Sequence, residues 1–353
     1  MTTSIDYKML YTFDGKVLLY KNGNFFLSDK DNITCLVSCP LPLVKKLASK
    51  VRLINRLLRL EPRSVERLTE NKFVVCFFHG IWILDTYNRK IRMVFKNRSG
   101  WSDTLNFCSD GKNIYWGEYG NNERRSEVNI YQMNKDEQIR IMYTFPSGTV
   151  RHIHNIIFDR DKNCFWILTG DNDAKSGIYQ VLNDWGEVKA IKTGKQCFRA
   201  VIGFPHKKGL IYATDSVTDE NHIYLLSDSN ELRDLSTING SCIYGVETRD
   251  YYIFATTVES PEGKGFINLF SYKLGGGIQS RDVHVVAVQK HDLSVRIIAR
   301  YKKDWLPLKL FQYGSVMFPK GQSQNDNLYY YVMACQHADG KSFSIKLDVS
   351  HLS

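Results

Sequence analysis

Two histidines, His152 and His154, stand two residues apart in the segment RHIHN, with Arg151 just ahead of them. On an extended strand, side chains at i and i+2 leave one face, so both imidazoles point the same way. Such a pair can share a metal, supply a general base near neutral pH, or simply hydrogen-bond to neighbouring strands and order them. Downstream, TGDND at 169–173 offers Asp171 and Asp173. An Asp-rich turn of this kind can cap itself, bind a cation or hold sugar hydroxyls. Carboxylate oxygens beside imidazoles suit manganese or a similar divalent ion. WGEYGNN at 116–122 sets Glu118 between Trp116 and Tyr119, with Asn121 beyond. An aromatic wall can stack a sugar ring and raise a carboxyl pKa. Arg151 and Arg199 can clamp a carboxylate or phosphate bidentately, or else pair with Asp171 or Asp215.

These residues are far apart in the chain. A weak internal repeat of about 45 residues is what would gather them, and such periods indicate propellers or solenoids. The clearest unit begins at Arg151: HIHNIIFDRDKN, CFWILTGDND, SGIYQVLND and EVKAIKTG read as four strands with turns. The next unit repeats the order as FRAVIGFPHKKG, LIYATDSVTDEN, HIYLLSDSN and ELRDLSTI, and the preceding one as LNFCSDGKN, IYWGEYGNN, VNIYQMNKD and IRIMYTF. Each fragment is β-branched or aromatic and ends in Gly, Asn, Asp or Ser. Further units fall at 64–98, 241–304 and 308–349, with a poorer one in the first forty residues. The expected fold is all-β: one β-propeller domain over 1–353, with about seven four-stranded blades. DYKMLYTF is expected to supply the outer strand of the last blade, and Gly275-Gly276-Gly277 to mark an exposed inserted loop.

In a propeller the innermost strand of each blade starts on the face that also carries the turn between the second and third strands. From strand starts this rule gathers Arg151, His152, His154, Arg199 and Tyr244, with Gln312 and Tyr313. From turns it gathers His79, Glu118, Tyr119, Asn121, Asp171, Asp173 and Asp215, with Gln336. Convergent polar groups in a concave mouth are the default site.

One segment breaks the pattern. LPLVKKLASKVRLINRLLRL at 41–60 is helical in character, with Leu43, Leu47, Val51, Ile54 and Leu58 at three- and four-residue spacing. Lys45, Lys46, Lys50, Arg52, Arg56 and Arg59 occupy the rest, and no acid interrupts them. A basic amphipathic helix either packs its apolar stripe on the propeller flank or lies on an anionic membrane surface.

The 353 residues carry a formal net charge of +10, which favours an anionic partner: nucleic acid, anionic lipid, phosphate or an acidic sugar, free or in a lipid-linked glycan. Nucleic acid is not expected: zinc-finger spacing, RNP-like aromatics and a helix-turn-helix are all absent from the sequence. The 8 cysteines include no CxxC pair and lie mostly in apolar runs, as buried free thiols do. MTTSIDYKML lacks the basic-then-apolar pattern of a signal peptide, and no apolar run approaches the roughly 20 residues that span a bilayer. A cytoplasmic protein is expected, peripheral at the inner face of the membrane if 41–60 binds lipid. No phosphate loop, nucleotide-binding glycine motif, nucleophile elbow or H-E-x-x-H is present.

At RHIHN, FWILTGDND, WGEYGNN and ATDS the chain resembles uncharacterised bacterial β-propeller proteins associated with glycosyltransferases of surface-polysaccharide biosynthesis. The resemblance spans most of residues 60–245 and implies a glycan context. A wider similarity extends to propeller glycan lyases and sialidases, although the arginine triad of sialidases is not evident. The reading that joins residues and resemblance is a propeller acting on, or binding, an acidic or phosphate-linked glycan. As an enzyme it would be a lyase, hydrolase or transferase. His152, His154 and Glu118 are then the acid–base candidates. Arg151 and Arg199 bind the anion, and Asp171, Asp173, Asp215, Tyr119, Asn121, His79 and Tyr244 complete the substrate surface. The rival is a noncatalytic scaffold recruited to the membrane.

Overall fold

The computed structural model describes residues 3–30, 32–171, 174, 176–261, 269–322 and 327–347. Seven four-stranded antiparallel sheets form a seven-bladed β-propeller, as the repeat predicts. Contacts group the chain into two compact units. One holds the chain up to Leu60, Asp215–Ile223 and everything from Asp234; the other holds Glu61–Thr214 and Tyr224–Arg233.

The second unit contains blade two (Ser64–Arg67, Lys72–Phe77, Gly80–Asp85, Lys90–Lys96) and blade three (Cys108–Ser109, Ile114–Gly117, Val128–Met133, Ile139–Phe145). It also contains blade four: His152–Asp159, Cys164–Gly170, Gly177–Leu182 and Glu187–Thr193. Central strands such as Val128–Met133 are buried throughout, because a neighbouring blade covers each face, whereas outer strands such as Lys90–Lys96 are mostly exposed. Tyr115 and Trp116 show the consequence. As adjacent strand residues they point oppositely, yet both are core. Trp116 packs towards blade two with Phe107 and Tyr131, and Tyr115 towards blade four with Phe165 and Trp185. Burying side chains of this size is worth roughly 1.5–3 kcal/mol each.

In the first unit the ring closes differently from expectation. Thr3–Ile5 pairs with Ser342–Lys346 as the outer strand of the last blade, and Lys8–Phe13 is instead the innermost strand of blade one. The poor N-terminal repeat is therefore a complete blade (Lys8–Phe13, Lys16–Lys21, Asn24–Asp29, Asn32–Ser38). Of the three glycines of the inserted loop, Gly276 is exposed, whereas Gly275 and Gly277 are buried. A Cβ on Gly277 would lie 2.0 Å from the Asp219 carbonyl, so glycine is needed for that approach.

The segment 41–60 is not one helix. Helix α1 spans Leu43–Ala48 and helix α2 spans Arg52–Leu58. Between them the buried Ser49 hydroxyl donates to the Lys46 carbonyl at 2.7 Å, and Val51 is extended, which ends the first helix. All eight cysteines are free; Cys39, Cys76, Cys108, Cys242 and Cys335 are buried, but Cys35 is exposed.

Candidate functional site

The inner strand of blade four, His152–Asp159, pairs His152 with Gly170 and Ile153 with Thr169, then resumes with Asn155 opposite Leu168. His154 is the extra residue of a β-bulge, a device that re-aims a side chain. The innermost strands Lys8–Phe13, Ala200–His206 and Cys242–Glu247 shift register at the matching place, so the bulge recurs among the blades. Both imidazoles are buried, with ring centroids 4.9 Å apart. Two glycines make room. A Cβ on Gly117 would lie 2.3 Å from the Ile153 Cβ, and one on Gly170 would lie 2.3 Å from the His154 Cε1.

Backbone carbonyls fix the tautomers. His152 Nδ1 lies 2.7 Å from the Gly120 carbonyl oxygen, and His154 Nδ1 lies 2.8 Å from that of Ala200. A carbonyl only accepts, so each Nδ1 carries the hydrogen and each neutral ring presents a bare Nε2 lone pair. Those two Nε2 atoms are 3.0 Å apart, and each lies 3.2 Å from Asp171 Oδ1. Three acceptors thus converge on one point.

Burial opposes ionisation of Asp171, yet His152 and His154 hold its carboxyl far below the usual carboxylate range. Arg151 Nη1 sits 3.0 Å from Asp171 Oδ2, and Arg199 donates from Nη1 to the Asp171 carbonyl at 2.6 Å. Gln196 Nε2 donates to the same carbonyl at 3.3 Å. Burial pushes the His154 imidazole below its ordinary value, against the pull of Asp171. With both Nε2 atoms bare, the carboxylate and the two nitrogen lone pairs repel one another unless a cation or a shared proton joins them.

The donor set fits a divalent ion. Cis ligands around an octahedral ion with bonds of about 2.0–2.2 Å lie about 2.8–3.1 Å apart. Tetrahedral zinc at about 2.0–2.1 Å separates its ligands by about 3.4 Å. The spacings of 3.0, 3.2 and 3.2 Å sit nearer the octahedral case. A carbonyl on the far nitrogen of each histidine is the usual support for a ligating imidazole.

The surroundings are aromatic and cationic. The Tyr119 ring lies 4.5 Å from that of His152, and the Arg63 guanidinium covers Tyr119 at 4.8 Å. Arg151 Nη2 donates to Asn121 Oδ1 at 2.6 Å. Among the described residues, the buried Arg151 Nε and Gln196 Oε1 have no hydrogen-bond partner. The histidine side chains are only 2–3% exposed, against 19% for Asp171 and 25% for Arg151, so access is over the latter two.

The structure therefore brings together Arg151, His152, His154, Asp171, Arg199, Tyr119 and Asn121. It does not bring Glu118. The extended chain sends adjacent side chains to opposite sides, so with Tyr119 facing His152 the Glu118 carboxylate faces away. There Arg98 binds it through two nitrogens, the Tyr131 hydroxyl donates at 2.9 Å and the Asn129 N–H at 2.8 Å. So paired, the Glu118 carboxylate stands apart from the histidine cluster in which it was expected. His79 is exposed at the turn after Phe77, its ring 5.7 Å from Phe78. Asp215 and Tyr244 belong to the other unit, where Asp215 is buried and Tyr244 packs on an apolar cluster. In that unit Gln312 donates to the Arg56 carbonyl and Gln336 to that of Lys303, while Tyr313 packs on the same cluster as Tyr244. Asp173 lies outside the described residues. Sequence reasoning missed Gln196, Gly170 and the carbonyls of Gly120 and Ala200; no residue-type pattern marks them.

No protein family matches the chain, and comparison with curated protein sequences finds no relative. Solved structures do resemble it. An oligogalacturonate lyase in complex with manganese aligns over 100% of this chain and 92% of its own, at 10% identity and a TM-score of 0.58. The oligogalacturonate lyase of Vibrio parahaemolyticus aligns over 98% and 90%, at 9% identity and a TM-score of 0.53. A chain of the mitotic checkpoint complex aligns over 96% and 88%, at 8% identity and a TM-score of 0.52. At such identities the likeness establishes the propeller fold, which carbohydrate-acting and regulatory proteins share.

Proposed function

We propose that His152, His154 and Asp171 hold a divalent cation of the manganese type, and that the site takes an acidic glycan. The observation that carries this is the meeting of two imidazole Nε2 atoms and a carboxylate oxygen within 3.2 Å of one another. When bound, such an ion acts as a Lewis acid towards a carboxylate or hydroxyl oxygen of the sugar.

The chain's own residues supply the rest. Arg151, a quarter exposed, is the accessible cation for the sugar carboxylate, and Asn121 and Asp171 hold its guanidinium in place. Tyr119 gives a flat wall for a sugar ring. Arg199, 8% exposed, holds the Asp171 backbone and is a positioning residue. Ligand duty takes both imidazoles out of proton transfer, so they replace their acid–base role with a binding one. Support for the glycan comes from the cationic rim beside the metal ligands. One structural neighbour agrees with this reading: it is an oligogalacturonate lyase in complex with manganese, and oligogalacturonate is an acidic sugar chain.

The test is calorimetric titration of chelator-treated protein with Mn²⁺, followed by thermal-shift measurement with oligogalacturonate and with a neutral oligosaccharide. One Mn²⁺ per chain is expected, lost in His154→Ala. Stabilisation by the acidic sugar alone is expected, lost in Arg151→Ala with metal affinity retained. No stoichiometric metal overturns the ion. Metal without preference for the acidic sugar overturns the glycan.

A further inference from the structure

The two short helices of segment 41–60 are inside out. Ordinarily a surface helix turns its apolar stripe inward and its charges to water. Here α1 has no buried residue, and those of α2 are Asn55 and Arg56. Arg56 is 2% exposed, with Nη1 2.7 Å from Asp304 Oδ2 and 3.1 Å from Asp339 Oδ2, and it also donates twice to the Phe311 carbonyl. Arg52 grips Asp339 through Nε at 3.0 Å and Nη2 at 2.6 Å. Gln312 donates to the Arg56 carbonyl at 2.8 Å. Polar contacts thus anchor α2 to its own unit.

The apolar side chains face out. Leu43 is 73% exposed, Val44 78%, Leu47 54%, Leu53 48%, Ile54 40% and Leu58 48%. Trp305, which follows the Asp304 that holds Arg56, is 74% exposed. Exposed apolar side chains in this number on two successive short helices point to an interaction site. Its charge selects the occupant. Lys45, Lys46, Lys50 and Arg59 are interspersed with these side chains, and no acid occurs between residues 41 and 60. A second copy meeting the same face would set lysine against lysine, whereas an anionic lipid surface answers both the apolar side chains and the lysines.

From these observations we infer that α1 and α2 dock the protein on an anionic bilayer surface, with Trp305 at the same interface. No helix among the described residues is long and apolar enough to cross a membrane, so the mode is lying on the surface. The inference is independent of the metal and the glycan.

The test is flotation of the intact protein with vesicles of phosphatidylcholine alone and of phosphatidylcholine with one quarter phosphatidylglycerol. Binding to the anionic vesicles is expected, weakening as salt rises. The exposed double variant Leu47→Glu/Ile54→Glu is expected to lose at least tenfold in binding. Lys45→Glu/Lys46→Glu is expected to lose at least fivefold per residue. Both should keep the wild-type melting temperature and Mn²⁺ affinity. Failure of the wild type to bind anionic vesicles overturns the inference, as does equal binding to both vesicle types. A concentration-dependent dimer abolished by the same variants would overturn it in favour of a second copy.

Discussion

Replacing Gly170 with alanine adds one methyl group and should remove the proposed cation site. The new Cβ would lie 2.3 Å from His154 Cε1 and 2.8 Å from its Nε2. Non-bonded carbons rest about 3.5 Å apart, so the ring edge must retreat by about 1.2 Å. Metal–ligand distances tolerate about 0.2 Å. The ring has little freedom to adjust, being 2% exposed and tied at Nδ1 to the Ala200 carbonyl at 2.8 Å. Losing one of three protein ligands should weaken Mn²⁺ binding more than about 100-fold, beyond the cost of disturbing a ligand's support. Overpacking should cost about 1–3 kcal/mol of stability, which leaves the fold intact. Calorimetric titration and urea unfolding of Gly170→Ala, His154→Ala and the double variant measure both effects. The double variant should bind no more weakly than either single one, because both act through the same imidazole. Wild-type Mn²⁺ affinity in Gly170→Ala would refute the reasoning.

Glu118→Gln should lower stability by about 1–3 kcal/mol, since Arg98 loses its charge partner, while Mn²⁺ affinity stays unchanged; loss of binding in a folded variant would return Glu118 to the site. Burial opposes ionisation of Asp339, but Arg52 and Arg56 hold its carboxyl below the usual range. A depressed folded-state value stabilises the protein above the unfolded value of about 3.9 and ceases to as pH falls through the folded value. Asp339→Asn should therefore cost about 3 kcal/mol at neutral pH, and the gap should close only below about pH 4 in urea unfolding series; a constant gap would contradict the pairing. Burial pushes the Cys39 thiol up to about 12. Alkylation at pH 8 followed by mass spectrometry should modify exposed Cys35 in the native protein and Cys39 only after unfolding.

The blades were legible because strand alternation and Gly, Asn and Asp turns are local signals. Blade closure was read a few residues late. TSI at Thr3–Ile5 is too short to show a period, and the longer apolar run KMLYTF drew the assignment. The spacing of Leu47, Val51 and Ile54 runs on through Ser49, whose buried hydroxyl breaks the helix by a contact no periodicity records. Periodicity also cannot tell which helix face turns inward. That is decided by Asp304 and Asp339, 248 and 283 positions from Arg56. Within the candidate site, the blade rule located the histidines, Asp171 and Arg151. It misplaced Glu118, whose partner Arg98 sits 20 residues earlier without any pattern to announce it.

Anomalous diffraction at the manganese edge, from crystals grown with Mn²⁺, bears on the cation site without intermediaries. The expected result is one strong peak about 2.2 Å from His152 Nε2, His154 Nε2 and Asp171 Oδ1 together. Full-strength density for the three side chains with no anomalous peak between them would contradict it, and would leave a shared proton to join the three acceptors.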